Sequence, residues 1–123
     1  MRNAIVAPVL ASGLAIAALA LAGQAQAHAR LLMGAPKAGS TVAAPKALTL
    51  RFSEELVPAA SSVKVTGPAA ATVPTGPLRL DATRKIATVP FAGTLAAGAY
   101  KVVWHMKTED GHETDGAFGF TVK

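Results

Sequence analysis

Beyond residue 28 the chain is a succession of short apolar runs cut by turn-forming residues. Turn signals recur at residues 36–40, 44–45, 67–68, 74–77, 81–84, 93–98 and 109–116. Between them lie segments rich in Val, Leu, Thr and Phe, at 47–52, 62–66, 78–80, 85–91, 99–106 and 117–122. Three of these alternate with period two. Leu48, Leu50 and Phe52 oppose Thr49, Arg51 and Ser53. Tyr100, Val102 and Trp104 oppose Lys101, Val103 and His105, and Phe118, Phe120 and Val122 oppose Ala117, Gly119 and Thr121. Such alternation sends one set of side chains into a core and the other outward. Short strands with turn signals this frequent predict an all-β sandwich or barrel. No segment beyond residue 28 carries a helical stripe, and there is no internal repeat. The Ala/Pro/Thr-rich stretch 68–77 reads as a loop or a loose edge.

The first residues follow a different pattern. Arg2 precedes an apolar run over residues 4–23, which closes on Ala25-Gln26-Ala27. A single positive charge, an apolar centre and small residues two apart mark a secretory signal cleaved after Ala27. The expected division is therefore a signal peptide at 1–27 and one domain at 28–123, starting at His28. A retained membrane anchor is the competing reading of the same run. Pro8, Gly13 and the dominance of alanine favour cleavage. No later run is long enough to cross a bilayer, so the processed domain is expected to be soluble.

Charge and cysteine content narrow the chemistry. The chain has 12 Lys and Arg against 7 Asp and Glu, a net +5, and processing removes only Arg2 of these. The cations are scattered singly and do not interleave with aromatics, whereas nucleic-acid binding wants a basic patch or stripe. No nucleic-acid role is expected. There are no cysteines, so zinc fingers, thiolate nucleophiles and blue-copper sites of the His₂Cys kind are excluded. A GxSxG elbow and phosphate-binding glycine loops are absent as well.

The chain has 3 histidines, and the first becomes an amino terminus if cleavage falls after Ala27. Its α-amine, with an ordinary pKa of about 7.7–8.0, and its ring Nδ1 could then chelate one ion. Paired nitrogens in one plane suit the tetragonal preference of Cu(II). By itself this is equally a chance of processing. The second feature is Asp110-Gly111-His112, between the Trp104 and Phe118 segments. Two-residue spacing puts carboxylate and imidazole on one side of an extended or gently turned loop. Taken alone it is an ordinary polar hairpin; joined to His28 it completes an N₃O set for Cu(II). His105 shares outer-face parity with Lys101 and Lys107 and reads as surface. Met33 and Met106 fall in expected strands and read as core filler. Trp104 reads as a core aromatic.

In order and spacing these residues resemble the CopC family of bacterial copper-resistance proteins along nearly the whole processed chain. The resemblance is carried by His28 after Ala-Gln-Ala, by Pro36 with Gly39-Ser40, and by Leu50-Arg51-Phe52-Ser53-Glu54-Glu55-Leu56. It continues through Tyr100-Lys101-Val102-Val103-Trp104 and Asp110-Gly111-His112, then Gly116, Phe118, Phe120 and Val122. It implies a Greek-key β-sandwich or barrel, immunoglobulin-like or cupredoxin-like, working in the periplasm. It also implies a Cu(II) site of His28, Asp110 and His112, with Glu54 as an outer-ligand candidate. Copper homeostasis or resistance is the implied function: capture, buffering or delivery by a monomer, with an inner-membrane transporter of the CopD type as the candidate recipient. Some members carry a Met-rich Cu(I) loop. The corresponding residues 58–77 contain no methionine, so no dedicated Cu(I) site is expected.

Two other function classes meet the same sequence. An oxidative copper enzyme can use an amino-terminal histidine chelate, but it needs an open coordination position and a substrate surface, commonly flat and aromatic. Trp104, Tyr100 and the four Phe mostly have core parity, and an aspartate ligand would fill the open position. The chain is therefore not expected to be an enzyme. A metal-free extracellular β-sandwich module is the third class, separable from the first by Cu(II) titration.

Overall fold

A computed structural model describes residues 29–123. The expected signal peptide and His28 lie outside the described residues. The alternating pattern becomes eight strands: β1 (Leu31–Ala35), β2 (Thr41–Val42), β3 (Ala47–Phe52), β4 (Ser62–Thr66), β5 (Arg79–Leu80), β6 (Ile86–Pro90), β7 (Gly98–Lys107) and β8 (Glu113–Val122). They form two four-stranded sheets, ordered β1-β3-β6-β5 and β2-β8-β7-β4. β2 runs parallel to β8 and every other pairing is antiparallel. The chain crosses repeatedly between sheets, as in a Greek-key β-sandwich. Among the described residues no helix is long and apolar enough to cross a membrane.

The parity read from the sequence decides which side chains meet between the sheets. Leu48, Leu50 and Phe52 of β3 are fully buried, as are Val102 and Met106 of β7. Each such side chain stabilises the fold by about 1.5–3 kcal/mol relative to exposure. The core divides along the strands into two clusters. One gathers Leu48, Val65, Val89, Leu95, Tyr100, Val102, Phe120 and Val122. The other gathers Ala29, Leu50, Phe52, Leu56, Ala87, Trp104 and Met106. Stretch 68–77 doubles back onto the first cluster, with Val73 N–H donating to Val65 O at 2.9 Å.

Three features depart from the sequence reading. β8 begins at Glu113, inside the span expected as a turn, because pairing continues from Gly98↔Val122 to Lys107↔Glu113. The polar residues Glu113, Thr114 and Asp115 hide this extension, and Gly116 looks like a breaker. Gly116 is instead a mid-strand necessity: a Cβ there would fall 2.2 Å from Trp104 Cζ2, where the indole crosses the strand. Strand β2, two residues long, has no signal in the sequence, and β1, which lacks β-branched residues, shows there only as the expected strand around Met33. The third departure is Met33. Met106 fills the core, but Met33 is 53% exposed. The β1–β3 register shifts between Leu31 and Met33, and such a bulge breaks alternation, so Leu32 and Met33 both face outward.

Candidate metal centre

The end of the sandwich that holds the second cluster is built around the turn joining β7 to β8. Thr108 N–H donates to His112 O at 2.8 Å and Gly111 N–H donates to Thr108 O at 2.9 Å. Gly111 has φ +92°, in the left-handed region that glycine enters without strain. The tight turn brings Asp110 Oδ1 to 3.1 Å from His112 Nδ1. The carboxylate and imidazole singled out in the sequence therefore meet, through a turn tighter than the loop expected.

Thr108 organises this pair, and sequence reasoning missed it. Its side chain is buried, its hydroxyl donates to Asp110 Oδ1, and its oxygen accepts from His112 N–H at 3.2 Å. A Thr two residues before Asp, with Gly following, is the signal that could have exposed it, since hydroxyl and carboxylate groups close such turns locally. The Thr108 hydroxyl first, and the His112 ring second, hold the Asp110 carboxyl down to about 2. Asp110 is accordingly an anionic oxygen donor throughout the neutral range.

The segment after β3 ties this turn to the start of the described chain. Ser53 N–H donates to Arg30 O and Arg30 N–H to Ser53 Oγ, both at 2.9 Å. A few residues on, Leu56 bridges Thr108 and Glu109 N–H donates to Glu55 O at 3.0 Å. Ala29, the residue after His28, is 3% exposed among Leu56, Trp104 and Met106. Glu54 is partly buried and borders a shallow groove of about 210 Å³ with Glu55, Lys85, Thr108, Glu109 and Asp110. Among the described residues no three His, Asp or Glu side chains are arranged to hold a metal ion by themselves.

Acidity gathers at this end. All seven carboxylate side chains lie in the loops and strand ends around it: Glu54 and Glu55 after β3, Asp81 in the β5–β6 turn, and Glu109, Asp110, Glu113 and Asp115 around the hairpin turn. Arg51, Arg84 and Lys85 line the same end, so acids and bases are interspersed there.

His105 belongs to the outer face of the same half, as its parity indicated. Its Nδ1 meets Asp115 Oδ1, and its Nε2 lies 2.9 Å from Glu113 Oε1. The Asp115 bond first and the Glu113 bond second raise its pKa above 6.5. Opposite it on β4 stands uncharged Ser62, and Lys107 is the next cation on its own face. With the folded value above the unfolded one, the clamp's contribution is complete below pH 6.5 and is lost as pH rises through the folded pKa. His105→Gln in copper-free protein is expected to flatten the fall in Tm as pH rises above 6.5. Parallel Tm–pH curves for variant and parent would contradict this.

The sandwich has clear relatives. The family model described as the CopC domain matches residues 31–123. Protein YobA of Escherichia coli K12 is 42% identical over 99 residues, 79% of this chain and 80% of that protein. Copper resistance protein C of Pseudomonas syringae pv. tomato is 34% identical over 121 residues, 94% of this chain and 92% of that protein. The crystal structure of PcoC, a methionine-rich copper resistance protein from Escherichia coli, aligns with a TM-score of 0.73 at 33% identity. That alignment covers 79% of this chain and all of PcoC. With the match running from β1 through the last strand, over both sheets and the hairpin turn, the chain belongs to the CopC family of copper-resistance proteins.

Proposed function

We propose that the processed protein is a periplasmic Cu(II) carrier whose site combines the amine and ring nitrogen of His28 with Asp110 and His112. The observation that carries this reading is the position of Ala29. It shares a buried cluster with Leu56, which bridges Thr108 at the foot of the turn that presents Asp110 and His112. The described chain therefore enters the fold at the end of the sandwich that presents Asp110 and His112. Two donors alone make a weak site, and an amino-terminal chelate adds two nitrogens to give the N₃O set that suits Cu(II). In this reading Glu54 serves as an outer ligand, and it borders the same groove as Asp110. The protein would act as a monomer that buffers Cu(II) or passes it to a CopD-type transporter. It would carry no Cu(I) site: stretch 58–77 lacks methionine, Met106 is fully buried, and Met33 stands alone at an edge.

The test is Cu(II) titration followed by paramagnetic resonance. One equivalent is expected to show hyperfine coupling to nitrogen. His112→Ala and Asp110→Ala are each expected to weaken binding by at least the ~10–100-fold that loss of a mere supporting partner costs. The fold should survive both, because the His112 and Asp110 side chains are 43% and 60% exposed. Thr108 also keeps a backbone partner in His112 O, 3.2 Å from its hydroxyl. Absence of nitrogen coupling, or unchanged affinity in both variants, would end the proposal. Collapse of the copper-free variants' melting curves would refute the view of these side chains as dispensable to the fold.

A further inference from the structure

We propose that Arg84 is a positioning residue for the copper site: it holds the Glu109 carboxylate away from the metal and leaves Asp110 as the acid that binds. This rests on the copper reading above. Four carboxylates, Glu54, Glu55, Glu109 and Asp110, border the groove beside the hairpin turn. Glu109 and Asp110 are neighbours in the chain, so one ion could draw on both unless something separates them. Each has a different anchor. Asp110 Oδ1 accepts from the Thr108 hydroxyl and faces His112 Nδ1. Glu109 Oε1 instead accepts from Arg84 Nη1.

The placement of Arg84 is determined by the β5–β6 turn. Asp81 Oδ1 accepts from Ile86 N–H at 3.2 Å and from the Thr83 hydroxyl at 2.9 Å. Arg84 N–H donates to Asp81 O at 3.0 Å, and Arg84 O accepts from Leu56 N–H at 2.8 Å. Between these bonds Arg84 adopts φ +59°, uncommon for a residue with a side chain. The guanidinium thus reaches Glu109 from a second loop, in a neighbouring groove that the two residues line together, while Glu109 N–H is held by Glu55 O and Lys85 lines the groove beside Asp110. Chemistry gives the arrangement a purpose. A second carboxylate would shift the donor set toward oxygen, which suits Ca(II), Mg(II) and Mn(II) better than Cu(II).

Arg84→Met keeps the apolar stem and removes the charge. With one equivalent of Cu(II), the processed parent is expected to give a single paramagnetic-resonance species. Arg84→Met should add a second, oxygen-richer species, and Mn(II) affinity should rise by up to about fivefold, the scale of an exposed ion pair. Arg84→Lys should retain the parent spectrum, and adding Glu109→Gln to Arg84→Met should restore it. If Arg84→Met does not fold, about 0.5 M sodium sulfate screens the exposed pair in the parent. It should then bring out the second species in the parent but not in Glu109→Gln. An Arg84→Met spectrum identical to the parent's overturns the proposal, and so does an altered spectrum that Glu109→Gln fails to restore. The two readings fail separately: if His112→Ala matches the parent, copper binding through this turn falls. If His112→Ala differs while Arg84→Met does not, only the role of Arg84 falls.

Discussion

Acetylation of the His28 α-amine in the processed protein is expected to weaken Cu(II) binding by about 10²–10⁴-fold. The acetyl group turns the α-amine into an amide nitrogen with no free amine ahead of it to anchor the metal, and the chelate loses one arm. The scale follows from tethering: a second donor on the same residue acts at high effective concentration, and removing it forfeits that gain. The described chain is anchored at this end by the two Arg30–Ser53 hydrogen bonds and by buried Ala29. Copper-free Tm should therefore stay the same. Competition titration against a chelator of known affinity measures the change. An acetylated protein that binds Cu(II) as tightly as the processed one would show that the amino terminus is no ligand.

Phe52→Ala is expected to cost about 3–5 kcal/mol of stability, the range for deleting a buried aromatic. Phe52 is fully buried, and its ring meets Trp104 edge-on at 5.0 Å and 75°. Both rings belong to the cluster that also holds Ala29, Leu56 and Met106. A neighbour cannot fill the space cheaply, because Trp104 is already pressed over Gly116. Against a typical total of about 5–15 kcal/mol for a domain, the loss is large. Tm should fall by well over 10 °C, given roughly 4–8 °C per kcal/mol for a domain this size. Val103→Ala is the internal control: it lies on β7 with 42% exposure and should change stability by less than about 0.5 kcal/mol. Equal losses in urea unfolding for the two variants would contradict the assignment of β3 and β7 faces.

Acetylation and Phe52→Ala probe different levels of the same end of the molecule. Phe52 belongs to the same buried cluster as Ala29, while the acetyl group alters only the donor that precedes Ala29. A protein that loses stability but keeps copper in one case, and the reverse in the other, would separate scaffold from ligand.

The sequence by itself determined the sheet faces of β3, β7 and β8, because burial on one side imposes a period of two that a one-residue slip would invert. It also marked Asp110 and His112, since the Asp-Gly-His spacing and the glycine's freedom are local properties of the chain. What only the tertiary structure decided was everything that depends on distant segments meeting. The exposure of Met33 comes from a bulge against β3, and the strand character of polar Glu113–Asp115 comes from pairing with β7. The anchoring of Asp110 by buried Thr108, and of Glu109 by Arg84 from another loop, is of the same kind. Periodicity records which way a side chain faces, but not which partner lies opposite. That partner is chosen by packing two sheets together, and no window of neighbouring residues contains it.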